Sequence, residues 1–268
     1  MPRASRVFRA LAGEAIRDAM RRRIVPVIAV VSLLSLVVVD GCTACGTPSL
    51  TQDGVAIDLP SVAGWAGLVI FAVLALWVIV LAGVLASDHL AEPLSDGSAS
   101  LLLARPVGRS TFALTRLVGV LVITFIAGVV LLGGSAGLIH GRHGVPLDAA
   151  IWAGFACALG VVIVAALSMT ASLFLPRIAT ALAMLAAVGI VSGVNTMSLF
   201  GVELSGIPWG IDRYGPPLGA AIVTALAPWI APARVPADPV ELAIRSVAWA
   251  VASVSLLVVV FRRRDIPS

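Results

Sequence analysis

The sequence predicts an all-α integral membrane protein: six transmembrane helices, an amphipathic elbow helix before them, and a re-entrant helix before the sixth span. Three observations predict it. The chain is 60% hydrophobic and only 12% charged, whereas soluble domains carry about a quarter charged residues. It contains six apolar runs near the ~20 residues that cross a bilayer as a helix. Short segments of alternating hydrophobicity, the mark of a membrane barrel, are missing. A single transmembrane domain over residues 1–268 is expected.

The first element is the segment 3–22. Val7, Phe8, Leu11, Ala12, Ala15, Ile16, Ala19 and Met20 recur at helical spacing, with Arg6, Arg9, Arg17 and Arg21 on other faces. A basic amphipathic helix of this kind lies in the headgroup layer and turns into the membrane. A plain basic tail is the simpler alternative. The apolar run that follows lacks a small-residue cleavage site, so it reads as a retained span and not as a signal peptide.

The six spans are expected at 24–39, 62–86, 117–139, 149–175, 178–202 and 242–261. The first is short, and Arg21, Arg22 and Arg23 can snorkel at its end. Only Pro176 and Arg177 separate the fourth from the fifth, which predicts a tight helical hairpin. The uncharged stretch 214–233 could pass for a seventh span, but it holds Pro216, Pro217, Pro228 and Pro232. Its proline-free part would reach only ~15 Å as a helix, about half the hydrocarbon thickness. It reads as a re-entrant or interfacial helix on the outer face.

Arginine placement sets the orientation. Seven arginines precede span one, three flank the second loop, one lies between spans four and five, and three follow span six, fourteen of the eighteen basic residues. With both termini cytoplasmic, all fourteen lie inside. The chain has no lysine. A P-loop needs one after its glycines, so ATP-driven work would require a separate ATPase chain, and no cofactor is expected on this one.

The loop 87–109, SDHLAEPLSDGSASLLLARPVGR, is the most structured polar segment. Asp88, Glu92 and Asp96 come first, then Gly97 and Ser98, the apolar patch Leu101, Leu102, Leu103 and Ala104, and finally Arg105, Pro106, Gly108 and Arg109. Pro93 and Gly97 should interrupt helix here. An apolar patch with charged flanks can plug a groove on a soluble partner. It can equally rest on the bilayer as an amphipathic loop.

Glu92, Gly97, Ser98, Leu102, Leu103, Pro106 and Arg109, with Arg116 entering the next span, resemble the ABC-2 family of ATP-binding-cassette permeases. The departures are Ser98 where threonine is usual, Pro93, and Arg116 where lysine is common. The elbow helix, six spans, internal termini and re-entrant segment also have counterparts in that family. Length and loop are similar to multidrug-type exporter subunits and to the permease serving copper maturation of nitrous oxide reductase.

The resemblance implies a bacterial inner-membrane exporter subunit that is not itself an enzyme. It implies two copies of this chain, each seated on one copy of a cytoplasmic ATPase that binds ATP and magnesium. Glu92, Gly97, Ser98, Leu101, Leu102, Leu103, Pro106 and Arg109 would form the coupling contact. Other expected partners are membrane lipids and an extracytoplasmic protein; nucleic acid is not expected.

Other constellations remain open. Cys42 and Cys45, just after span one, can form a disulfide, handle a metal together with His140 and His143, or have no special role. Cys157 reads as a small packing residue. Gly133, Ser135 and Gly137 satisfy G-x-S-x-G with His140 nearby, the basis of an alternative reading as a membrane-embedded serine hydrolase. That motif needs a strand-to-helix turn, whereas small residues at a span end favour close helix packing. Ser192, Asn195, Thr196 and Ser198 should face the bundle, the substrate path or a dimer seam. Asp40 and Asp88 sit at span ends, where water would solvate them. No span carries a mid-membrane carboxylate, which argues against a proton- or sodium-coupled carrier. A metal-maturation or mechanotransducing subunit that moves no cargo is the third reading.

Overall fold

Apolar runs without interior glycine–proline punctuation become long helices, and here prolines and glycines mark where they stop. The computed structural model describes residues 13–14, 30, 33–38, 40–41, 51–52, 55–56, 59–95, 109–230 and 237–263. Apart from Gly13 and Glu14, which are helical, the expected elbow helix lies outside the described residues, as do Cys42, Cys45, Gly97, Ser98, Leu101, Leu102, Leu103 and Pro106. Residues 33–38 of the expected first span are helical.

A two-residue ladder comes first, β1 (Thr51–Gln52) antiparallel to β2 (Val55–Ala56). The helices are α1 (Leu59–Ser95), α2 (Arg109–His143), α3 (Leu147–Ala171), α4 (Arg177–Leu199), α5 (Ile207–Tyr214), α6 (Leu218–Ala225) and α7 (Pro239–Arg263), with a 3-10 turn at Ala227–Trp229. Among the described residues five helices are long and apolar enough to cross a membrane: Gly64–His89 within α1, Ser110–His143 within α2, and all of α3, α4 and α7. The chain is a helical, multi-pass membrane protein.

The boundaries follow local chemistry. Gly144 takes φ 66, a left-handed conformation, just past α2, and its N–H closes on the His140 carbonyl at 2.8 Å. Pro146 and Pro176, both extended, precede α3 and α4, where a missing N–H costs nothing. The hairpin expected at Pro176 and Arg177 is therefore present.

The long helices alternate in direction. One end of the bundle holds the start of α1, the α2–α3 turn, the end of α4 and the start of α7. The other holds the ends of α1 and α7, the start of α2 and the α3–α4 turn. We call these the hairpin end and the loop end. Helix α3 is the centre, packed against α1, α2, α6 and α7. Its approach to α1 is close because glycine allows it: a Cβ on Gly160 would lie 2.7 Å from Ile79 Cδ1, and one on Gly83 2.9 Å from Val164 Cγ1.

Residues 207–225 form a hairpin of two short helices, where a lone helix was expected within 214–233. The segment α6 matches the expected proline-free helix, but α5, an additional short helix, precedes it, and Pro216 and Pro217 make the bend. Leu218 reaches Gly160, and a Cβ on Gly219 would meet the Ser192 carbonyl at 2.9 Å. Gly160 is 13 residues into α3, so the bend lies about 20 Å inside that helix's end by the helical rise. The chain then climbs back to Trp229, whose Nε1 donates to the Pro146 carbonyl at 2.9 Å and whose ring meets Phe71 edge-on at 5.6 Å.

Two expectations at the loop end change. Pro93 does not interrupt α1, which continues to Ser95; the proline sits in the last turn, where only one ladder bond is lost. From the Gly83–Ser168 crossing, α1 then runs about 13 Å beyond the end of α3. Helix α2 has 35 residues against 25 in α3, an excess of about 15 Å. The pair projects past the α3–α4 turn, with residues 96–108 between them.

Gly64 has no room for a side chain, since a Cβ there would run into the Trp229 carbonyl oxygen. Gly64→Ala should destabilise the protein by roughly 1–3 kcal/mol through overpacking against backbone. Gly133→Ala, with nothing within 4 Å, should be silent. Thermal unfolding in detergent followed by fluorescence-detected size exclusion compares the two.

Candidate functional site

The residues expected to carry function fall at three levels of the bundle. At the loop end, α1 leaves the membrane through Ser87, Asp88 and His89, all buried. Asp88 is 4% exposed and its carboxylate pairs with the Arg177 guanidinium at the start of α4. The expectation that water solvates Asp88 is thus corrected: α4 folds back beside α1 and places a cation on it. Arg116, on α2, is also buried, its guanidinium 5.4 Å from the Phe112 ring centroid. Phe112 stacks on Phe261 at 6.0 Å, tying α2 to α7. Glu92 lies in the final turns of α1, and Arg109 opens α2, so both sit toward the tips of the projecting pair.

At mid-height, α1 and α4 border a groove of about 600 Å3. Leu76, Val80, Leu185 and Val188 make it apolar, and Ser192 and Thr196 are the polar side chains on it. Thr196 Oγ1 donates to the Ser192 carbonyl at 2.7 Å. Ser192 Oγ is buried without a hydrogen-bond partner among the described residues. Helix α4 is mostly uncovered: only Thr180, Val188, Ser192 and Asn195 are buried on it.

At the hairpin end a polar cluster forms that sequence reasoning missed. Asn195 turns away from the groove, and its Nδ2 donates to Asp212 Oδ1 at 3.3 Å. Ser198 Oγ donates to Asp212 Oδ2 at 2.9 Å. From α7, Arg245 Nη2 donates to the carbonyls of Asp212 at 2.6 Å and Gly215 at 2.9 Å, and Trp249 Nε1 to that of Tyr214 at 2.9 Å. The signal was available. Asp212 and Arg213 are the only charged residues between Glu203 and Arg234, and ionisable groups at membrane depth mark function. Asp212 falls between the expected fifth span and the expected re-entrant segment, where the sequence suggested no element.

The remaining candidates are placed as follows. Ser135 is fully buried and its Oγ donates to the Leu132 carbonyl at 3.0 Å. His140, one turn on, directs Nδ1 to the Val145 carbonyl at 2.7 Å, so the pair is not joined as nucleophile and base. Arg142 pairs with Asp40, pinning the residues after 33–38 to α2. No cluster of three or more histidine, cysteine or acidic residues that could hold a metal occurs among the described residues. Cys157 Sγ, buried, lies 3.5 Å from the Ala75 carbonyl, the packing role expected of it.

Neither the protein-family models nor the curated proteins contain a match to this chain.

Proposed function

We propose that this chain is the membrane permease subunit of an ATP-binding-cassette exporter of the ABC-2 kind. It works as a homodimer in a bacterial inner membrane, with six spans, an elbow helix and both termini on the cytoplasmic side. ATP and magnesium are bound by a separate ATPase, one copy per permease chain. The observation that carries this reading is the projecting pair formed by α1 and α2. Two helices that overshoot the α3–α4 turn by more than 10 Å or so and are joined by a sequence with an apolar patch flanked by charge make a lever, and a lever needs something soluble to push it. The arginines favour the same side: Arg109, Arg116, Arg177, Arg262 and Arg263 gather at the loop end, against Arg142, Arg213 and Arg245 at the hairpin end.

In this reading the stroke enters through residues 96–108, travels along α1, and crosses to α4 through the Asp88–Arg177 pair. Helix α4 and the groove it borders with α1 form the wall of the path. The second copy meets the uncovered face of α4. Gly189 and Gly193 stand there at G-x-x-x-G spacing with nothing within 4 Å of a Cβ, the arrangement that lets two membrane helices approach closely.

Two outcomes are expected. An ATP-binding-cassette ATPase should copurify with the chain in mild detergent, and the triple change Leu101→Ser, Leu102→Ser, Leu103→Ser should abolish it; no such ATPase with the native chain would defeat the permease reading. Gly189→Leu with Gly193→Leu should weaken self-association at least tenfold, read by dilution-dependent energy transfer in bilayers, because both leucines fill the seam. Unchanged association would place the seam elsewhere.

A further inference from the structure

The α5–α6 hairpin, packed on α3 through α6, is hydrogen-bonded to two further neighbours, α7 and α4, in chemically different ways. Toward α7 the bonds end on main-chain carbonyls. Arg245 donates to Asp212 and Gly215, and Trp249 to Tyr214. These belong to the last turn of α5, where carbonyls lack a helical N–H partner and a cation is favoured. This attachment is indifferent to which side chains α5 carries.

Toward α4 the polar attachment is one carboxylate, that of Asp212, which accepts from Asn195 and Ser198. The rest of that boundary is smooth, with Gly219 against the Ser192 carbonyl and the Thr196 hydroxyl. Ser192 Oγ and Asn195 Oδ1, on the same stretch of α4, are buried without hydrogen-bond partners among the described residues, so Asp212 supplies the polar tie across this boundary.

We propose that Asp212 is the catch of a latch: the hairpin stays one body with α3, on which α6 packs, and with α7, while α4 is engaged or released through this single carboxylate. Asp212 is thus a positioning residue. The same turns of α4 carry Ser192 and Thr196, which line the groove on another face, so the latch sets whether the groove is closed at the hairpin end. Only the consequence for cargo rests on the permease reading; the latch itself does not.

Hydrogen exchange of the full chain in lipid nanodiscs, without ATPase or cargo, tests it. In Asp212→Ala the amides of residues 193–199 should exchange at least tenfold faster, while those of 239–250 keep their native rates. Asp212→Asn should stay near the native pattern, because its amide oxygen still accepts from Asn195 and its amide group can donate to Ser198. The double change Asn195→Ala, Ser198→Ala removes the same bonds from the other side and should reproduce the alanine pattern even where Asp212→Ala does not fold. Native exchange at 193–199 in that double variant, or equal loosening of α4 and α7, would overturn the latch. Such a failure leaves the permease reading intact, and absence of a copurifying ATPase leaves the latch intact.

Discussion

The structure depends on the close approach of α1 and α3. Lipid is as apolar as leucine, so membrane helices gain little from burying leucine against leucine. They are held by packing and by hydrogen bonds between helices. Gly83 and Gly160 remove the side chains that would keep these two helices apart, and buried alanines at 75, 82, 86, 153, 165 and 166 continue the seam. Ser168 then donates across it to the Gly83 carbonyl at 2.6 Å, a bond available only because the backbones are near. With α1 fixed on α3, helices α2 and α7 close around the same core, and Trp229 seals the hairpin end against Gly64 and Gly67.

Helix α4 stands apart from this core. Most of its surface is uncovered, and its polar ties lie at its two ends, Arg177 on Asp88 and Asn195 with Ser198 on Asp212. A helix held at both ends and smooth between them can change its seat without unpicking the bundle. On our account that is how a push on the projecting α1–α2 pair becomes a change at the opposite end, some 30 Å away by the thickness of the hydrocarbon core. Packed cores switch between discrete arrangements rather than flexing continuously, and a helix with two polar end-points is suited to such a switch.

Five of the spans were legible because hydrocarbon demands long apolar runs, and the α3–α4 hairpin because proline cannot sit in a ladder. Pro176 therefore announced its turn, whereas Pro216 and Pro217 were read only as limits of a lone helix. What stayed hidden depends on partners remote in sequence. Asp88 looked solvated until α4 brought Arg177, 89 positions later, onto it. Asp212 drew its importance from Asn195, Ser198 and Arg245, on two different helices. The segment Ile207–Tyr214 is too short for a periodic signal, and Pro93 was read as a breaker although a helix end tolerates it. Ser192, Asn195 and Thr196 were read as one group, and periodicity alone could not divide them between the groove and the hairpin.

The account stands on the loop end and the hairpin end facing opposite sides of the membrane, with the loop end toward the cytoplasm. With Cys42, Cys45 and Cys157 replaced, single cysteines introduced as Ser98→Cys and Ile207→Cys can be challenged with a membrane-impermeant maleimide on intact cells. Ile207 is 81% exposed. The account predicts that Ile207→Cys is labelled in intact cells and Ser98→Cys only after permeabilisation. Labelling of Ser98→Cys in intact cells, or shielding of Ile207→Cys until the membrane is opened, would contradict it.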